Sequence, residues 1–288
     1  MSSSTATLET YQQHVEDEWT APETVNAWDR WLPKQIGQFG PATALLAEAA
    51  GIQAGDTVLD LGSGAGDPAF TLATLVGPSG RVTATDLAEG MVQACREHVQ
   101  ARGVSNIDCL QADAQSLPFP DASFNRVTSK LGAMYFTDVQ KALSEIRRVL
   151  QPDGRVALVC WGAVERNPYV LHHAGPFFAR AEIQPPPPDM PHPFRFAQPG
   201  TLAAELERAG FLDVVEETHV VPMPWAGPPE ELWQNFYEVA VPVRPLIDGL
   251  SPDEREAAIG EVLAGLRQYY DGSYTSPPGA FVIASGAR

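Results

Sequence analysis

Residues 58–67 read VLDLGSGAGD. The stretch opens with an apolar run typical of a buried strand, broken only by Asp60, and glycines follow at positions 62, 64 and 66. Glycine lets a backbone approach a ligand closely because it has no Cβ atom. A helical pattern continues over residues 68–76, and the first N–H groups of such a helix would point at the turn. The stretch therefore predicts a strand, a tight turn and a helix that together cradle a bound group.

Short apolar runs alternate with helical patterns on both sides of this stretch. The predicted strands lie at residues 57–61, 81–85, 107–112, 124–129, 156–161, 214–221 and 280–285. Among the helices between them, the one capped by Asp138 has the clearest apolar stripe. Alternating strands and helices build a parallel sheet with helices on both faces, so we expect an α/β fold.

The remaining sequence suggests three parts. Residues 1–40 form a predicted helical lid and residues 41–161 the α/β core. Residues 162–288 complete the sheet and contain a proline-rich lid at 162–198 and a helical insertion at 226–273. The parts outside the core carry the aromatic residues Tyr11, Trp19, Trp28, Trp31, Trp233, Phe236 and Tyr237. These rings either pack a helical cap onto the sheet or line an apolar pocket for a small ligand.

Charge and cysteine content narrow the class of protein. The 19 basic and 36 acidic residues give a formal net charge of −17, which repels nucleic acid and anionic membrane surfaces. No apolar run is long enough to span a membrane, and the N-terminus lacks the pattern of a secretory signal, so we expect a cytoplasmic protein. Cys95, Cys109 and Cys160 lack zinc-site spacing, and we expect them to be buried thiols with no bound metal.

Acidic residues stand at or near the ends of three successive predicted strands. Asp60 precedes the glycines, Asp86 lies 20 residues beyond Gly66, and Asp113 follows the third strand. Ligands of open α/β sheets bind at this edge, where a carboxylate can accept hydrogen bonds from ribose hydroxyls or an adenine amine. A dinucleotide fingerprint would place its third glycine where Asp67 stands, so a nicotinamide-dependent oxidoreductase is disfavoured as an alternative.

Four motifs carry a family resemblance. They read VLDLGSGAGD, VTATDLAEGM, LQADAQSLPFPDASFNRV and EIRRVLQPDGRVALVCW. Over roughly residues 40–161 the chain resembles class I S-adenosylmethionine (SAM)-dependent methyltransferases, in particular the branch of ubiquinone and menaquinone C-methyltransferases. The resemblance implies a Rossmann-like, seven-stranded, mostly parallel sheet whose last strand is antiparallel, with SAM as cofactor.

The resemblance also implies a set of cofactor-binding residues. They are Asp60, Gly62, Ser63, Gly64, Gly66, Asp86, Leu87, Met91, Asp113, Ala114, Ser129 and Lys130. In this assignment Asp86 binds the ribose, Met91 flanks the adenine and Asp113 holds its amino group. The chain departs from the family at Asn125, where an acid is common, and at Lys130, which is unusual beside a sulfonium.

Methyl transfer from SAM is an in-line displacement at an already activated carbon, so the protein mainly aligns and desolvates the reactants. A general base is needed only when the acceptor must lose a proton. The sequence offers His14, Tyr135, His172, His173 and His192. We predict catalytic roles for Tyr135, His172 and His173, although adjacent helical residues point about 100° apart, so at most one of the two histidines faces the pocket.

The sequence therefore favours an enzyme that transfers a methyl group from SAM to an O, N or C atom of a small-molecule acceptor, either quinone-like or a secondary metabolite. The alternative within the same fold is a protein that binds SAM without transferring its methyl group. The intact acids Asp86 and Asp113 fit both, because they concern cofactor binding alone.

Overall fold

The computed structural model describes residues 17–181 and 190–288. Tyr11, His14 and the proline run at 185–188 therefore lie outside the described residues. Within the two described stretches, none of the helices combines the length and apolarity that crossing a membrane requires.

A seven-stranded sheet forms the centre of the molecule. Its strands are β1 (Thr57–Leu61), β2 (Arg81–Asp86), β3 (Ile107–Gln111), β4 (Phe124–Lys130), β5 (Leu150–Trp161), β6 (Leu212–Pro222) and β9 (Pro278–Ala287). They lie in the order β3-β2-β1-β4-β5-β9-β6, and β9 is antiparallel to both of its neighbours. The expected fold class is confirmed, including the antiparallel last strand.

Helices cover both faces of the sheet and one of its edges. They are α1 (Pro22–Gln38), α2 (Gly40–Ala50), α3 (Ala69–Val76), α4 (Glu89–Arg102), α5 (Val139–Val149), α6 (Pro168–Phe178), α7 (Thr201–Arg208), α8 (Pro229–Val239), α9 (Arg244–Asp248) and α10 (Pro252–Arg267). Helix α1 contacts α8, and α10 contacts α6 and α8, so the N-terminal helix and the helical insertion meet beside the sheet. The boundaries of the three predicted parts of the chain stay a prediction.

Local sequence chemistry sets several of these boundaries. The Asp138 side chain accepts a hydrogen bond from the Lys141 backbone N–H (2.9 Å) at the start of α5. Ser251 and Glu254 form a reciprocal capping box on α10. Burial of the predicted stripe on α5 from Val139 to Val149 packs this helix against the sheet.

Two features of the sheet differ from the sequence prediction. Strand β5 begins at Leu150, six residues before the expected start, because Leu150 pairs with Phe124 and an irregularity in the ladder follows that pair. A separate ribbon pairs β7 (Trp225–Ala226) with β8 (Tyr274–Thr275). Segments of two residues carry no periodicity, so this ribbon could not be predicted from the sequence.

The three cysteines are buried free thiols, as expected. Asn125 accepts a hydrogen bond from the Thr57 backbone N–H (2.8 Å) and donates to Gln151 Oε1 (2.9 Å), which joins β4 to both neighbouring strands. This departure from the family pattern therefore serves the sheet, away from the ligand edge.

Candidate active site

A cavity of about 330 Å³ opens at the carboxyl ends of β1, β2 and β4. Its lining includes the glycine-rich turn after β1 and residues of α1, α6 and α8. Open α/β sheets bind their ligands at this edge. The cavity is therefore the candidate active site.

The three glycines of the turn have different tasks. Gly62 (φ 69°) and Gly64 (φ 53°) line the cavity in left-handed backbone conformations. A Cβ atom on Gly64 would meet no heavy atom within 4 Å, so the space above it is open to a ligand. Gly66 (φ 119°) lies outside the cavity lining, and a Cβ there would come within 2.4 Å of the Phe70 ring. The first two glycines thus shape the cradle, while Gly66 lets α3 pack beneath it.

Asp86 connects the end of β2 to the turn. Its Oδ2 accepts a hydrogen bond from the Gly64 backbone N–H (2.9 Å), and its Oδ1 accepts from the Ala88 N–H (3.0 Å). The residue is half-buried at the cavity wall, and burial raises the pKa of its carboxyl group. Each carboxylate oxygen can accept more than one hydrogen bond, so Asp86 can hold the turn and also accept from ligand hydroxyls.

Asp60 and Ser129 lie behind the cavity lining. The Asp60 carboxylate accepts hydrogen bonds from the Ser63 hydroxyl and from Thr128 Oγ1 (2.7 Å), and complete burial raises its pKa to about 7. Ser129 donates its hydroxyl to the Leu61 carbonyl oxygen (2.9 Å). The hydrogen bonds of Asp60, Ser63 and Ser129 stabilise the turn. Of these three residues, only Ser63 lines the cavity.

The other end of the cavity suits a flat ring. Leu87, Met91, Asp113 and Ala114 all line the cavity, and the family resemblance assigns Met91 and Asp113 to an adenine. Met91 is buried, whereas Leu87 is 45% exposed and reaches over the rim. The Asp113 carboxylate accepts a hydrogen bond from the Gln115 backbone N–H (2.8 Å), which fixes it at the end of the slot.

Lys130 is buried in the cavity wall, with a side chain only 4% exposed. Its ammonium group lies 2.6 Å from Asp67 Oδ2 and donates to Thr43 Oγ1 (3.1 Å). The ammonium also lies 5.4 Å from the centre of the Phe39 ring. Asp67 stands where a dinucleotide fingerprint would have its third glycine. In the structure it is the counter-ion of Lys130.

Aromatic and aliphatic side chains form the wall that faces the turn. The lining there consists of Trp28, Leu32, Phe39, Leu131, Tyr135, Trp161, Tyr169, Val170, Ala174, Phe178, Phe194, Phe236, Val239 and Val243. The rings of Trp161 and Tyr169 stack with centres 5.8 Å apart and planes 12° apart. Gln35 adds a buried amide to this wall, a residue that sequence reasoning missed because it assigned only the apolar positions of α1 to the buried face.

The three predicted catalytic residues separate in the structure. Tyr135 lines the cavity, whereas His172 and His173 do not. His172 packs against Gly265 of α10 and against Tyr269, which follows α10. His173 is fully buried, stacks on Phe236 with ring centres 4.5 Å apart, and has its pKa lowered to about 3 by burial. Neither histidine lines the cavity, within the limit of at most one that helix geometry set, because other positions of α6 form the cavity wall.

The cavity fits SAM by its chemistry. The open space above Gly64 gives room for the aminoacyl chain, the Asp86 carboxylate can accept ribose hydroxyls, and Leu87 and Met91 offer apolar contacts to a ring. These groups lie along one continuous cavity. Their order along it matches the order of the aminoacyl chain, the ribose and the adenine in SAM.

The architecture and the crevice are those of the class I methyltransferase fold. Comparison with known proteins adds a match within the core: residues 42–177 match the model of the ubiE/COQ5 methyltransferase family. The chain is 42% identical over 113 residues to the ubiquinone/menaquinone biosynthesis C-methyltransferase UbiE of Pseudomonas putida, a match that covers 39% of this chain and 44% of that protein. The chain thus spans less than half the length of this curated relative.

Solved structures agree on the fold. Phosphoethanolamine N-methyltransferase 2 of Haemonchus contortus, in complex with phosphomonomethylethanolamine and S-adenosylhomocysteine, superposes with a TM-score of 0.55 at 16% identity, over 94% of this chain and 59% of that one. The [4+2]-cyclase SpnF superposes with a TM-score of 0.50 at 20% identity, over 85% of this chain and 80% of that one. The resemblance of the core to SAM-dependent methyltransferases is confirmed, and SAM as cofactor agrees with it.

Proposed function

We propose that the protein is a SAM-dependent methyltransferase that acts on a small, largely apolar acceptor. One observation carries the proposal: a single cavity joins a cofactor cradle at the glycine turn to an aromatic-walled space on the other side. A transferase of this kind needs both compartments in contact, because the methyl group passes directly from donor to acceptor.

Each part of the cofactor has a matching group in the chain. Gly62 and Gly64 would border the methionyl chain, Asp86 would accept the ribose hydroxyls, and Asp113 and Met91 would hold the adenine. The bound cofactor supplies an electrophilic methyl group on a sulfonium. The chain's residues align the acceptor with that methyl group and keep water away from it, which the apolar wall favours.

The acceptor wall suggests the substrate class. Its rings and aliphatic side chains would cover a flat, apolar molecule, and the core's likeness to a ubiquinone/menaquinone C-methyltransferase supports a quinone-like acceptor or a related secondary metabolite. The acidic surface supports a small molecule over nucleic acid, and the buried free thiols support a reducing, cytoplasmic setting.

Tyr135 is the one member of the predicted catalytic set that reaches the cavity, so it is the candidate for orienting an acceptor oxygen or accepting its proton. We propose no such role for His172 or His173, since neither borders the cavity.

The proposal is tested by incubating the protein with methyl-labelled SAM and a panel of phenols, reduced quinones, amines and fatty acids. Label should move to a member of the panel with stoichiometric release of S-adenosylhomocysteine. The variant Asp86→Ala, treated in the same way, should transfer far less label at the same cofactor concentration.

The fold's occurrence in a [4+2]-cyclase keeps a second function open, in which the protein binds SAM without transferring its methyl group. That function predicts SAM binding with no labelled product and no S-adenosylhomocysteine under single-turnover conditions. Binding of a nicotinamide cofactor in place of SAM would overturn both functions.

A further inference from the structure

Three side chains in the cavity wall have buried polar atoms without hydrogen-bond partners among the described residues: Gln35, Asp67 and the indole N–H of Trp28. Gln35 is 1% exposed, and neither its Nε2 nor its Oε1 has a partner among residues 17–181 and 190–288. Asp67 Oδ1 is likewise buried and unpartnered within the described chain, although its other oxygen binds Lys130. Both residues line the candidate active site.

Buried polar atoms without partners are unfavourable, and folded proteins satisfy nearly all of them. Four such atoms on three residues that border one cavity indicate that a ligand completes hydrogen bonds there, and Gln35 and Asp67 supply three of the four. Lys130 explains the position of Asp67, because its ammonium group is held between Asp67 Oδ2 (2.6 Å) and Thr43 Oγ1 (3.1 Å). The pair thus fixes one oxygen of Asp67 and leaves the other for a donor in the cavity.

We propose that Gln35 and the Lys130–Asp67 pair form a recognition subsite for a hydroxyl group on an aromatic acceptor. The inference rests on the proposed function, since it names the class of acceptor: a planar ring with a free hydroxyl. The hydroxyl donates to Asp67 Oδ1, and its oxygen accepts from the Gln35 amide. Apolar surroundings strengthen both bonds and make a ring without the hydroxyl a poorer ligand, because the same polar atoms then stay unpaired.

The test uses 2-naphthol and its methyl ether, 2-methoxynaphthalene, as probes. Equilibrium dialysis with the full chain, saturated with S-adenosylhomocysteine, measures the affinity for each. The wild type should prefer 2-naphthol by about tenfold or more, the effect of hydrogen bonds that include a charged acceptor. Equal affinity for the two probes would overturn the proposal.

Gln35→Leu removes both unpartnered amide atoms at nearly constant volume. It should lower affinity for 2-naphthol by about fivefold, leave affinity for the ether unchanged, and raise the melting temperature of the ligand-free protein. If Gln35 served only to stabilise the fold, Gln35→Leu would instead lower the melting temperature of the ligand-free protein. The matched control is Asn235→Leu, which removes a buried, unpartnered amide outside the cavity lining and should leave the hydroxyl preference intact.

Asp67→Asn should also reduce the preference for 2-naphthol. Because this variant leaves the buried Lys130 without its counter-ion, the test is repeated with Asp67→Asn combined with Lys130→Met. Loss of S-adenosylhomocysteine affinity in Gln35→Leu would instead place the amide on the cofactor, against the proposal. Failure of the proposed function gives a different result from failure of this subsite. In that case no methyl group is transferred, but the protein still prefers 2-naphthol to its methyl ether, and Gln35→Leu still loses that preference.

Discussion

Asp86 links cofactor binding to the shape of the turn, since one carboxylate both accepts the Gly64 N–H and faces the cavity. Replacing it by alanine should weaken SAM binding by at least about tenfold, because hydrogen bonds to a charged group are worth about 1.5–3 kcal/mol each. Calorimetric titration measures the change. Unchanged affinity would remove Asp86 from the site.

The same residue predicts a pH dependence. Because burial raises the pKa of Asp86, the carboxylate takes up its proton at a higher pH than an ordinary aspartate does. SAM affinity should therefore begin to fall in mild acid, and the Asp86→Ala variant should lack this part of the pH profile. An identical acid profile in both proteins would assign the effect to another group.

Residues that belong to a local motif were the ones whose position could be predicted from the sequence. Gly62, Gly64, Asp86 and Met91 stand at fixed distances from predicted strand ends, and the structure brings them to one cavity. Gln35 and the pairing of Lys130 with Asp67 could not be predicted in this way. Lys130 and Asp67 are 63 residues apart, and their contact depends on how β4 lies beside the turn.

At the scale of elements, helix α6 carries a buried histidine whose ionisation opposes folding. His173 Nδ1 donates to the Tyr169 carbonyl oxygen (2.6 Å), while Nε2 has no partner in the described parts of the chain. Its pKa of about 3 in the fold lies below the ordinary value of 6.5, so the unfolded chain takes up a proton that the folded chain refuses. Stability from this group is complete above pH 6.5 and is lost as the pH falls toward 3.

Replacing His173 by phenylalanine keeps the stack on Phe236 and removes the titration. The free energy of unfolding of the wild type should fall relative to the variant by up to about 1.4 kcal/mol per pH unit below pH 6.5. Urea denaturation between about pH 7 and 5 measures both slopes. The titration of buried Asp60 is common to the two proteins and cancels in the difference.

The half-buried neighbour His172 provides the control, and His172→Gln should change the slope less. Parallel pH curves for the wild type and His173→Phe would contradict the burial of an uncharged imidazole in α6.

Elements with several residues of regular pattern were predictable, and shorter ones were not. The stripe on α5 specified both its type and its buried face. The β7–β8 ribbon arises from tertiary contact, since each partner contributes only two residues. The histidines of α6 show a related limit: their spacing restricts how many can face a cavity, but the packing of α8 and α10 against α6 determines that neither does.

For the whole molecule, the alternation of strands and helices predicted a parallel sheet, and the family resemblance added seven strands with an antiparallel last one. The order of the strands, with β9 between β5 and β6, was not predicted, because a strand's apolar pattern does not reveal its neighbours.

The net charge of −17 also belongs to the whole molecule. It predicts that a duplex DNA fragment will show no mobility shift with the protein at about 50 mM salt, where electrostatic binding is strong. A complex that dissolves on adding salt would show instead that a local basic surface outweighs the total charge.

Equilibrium binding of labelled SAM to the full chain, compared between the wild type and Gly64→Val, tests most directly whether the turn is a cofactor cradle. The branched side chain would occupy the open space above residue 64, and Gly103→Val places the same residue in a similar left-handed conformation (φ 64°) with equally open surroundings, away from the cavity. Both variants carry backbone strain of about 1–2 kcal/mol, so only occlusion distinguishes them. We predict one SAM per chain for the wild type and Gly103→Val and none for Gly64→Val, and normal SAM binding by Gly64→Val would contradict the assignment.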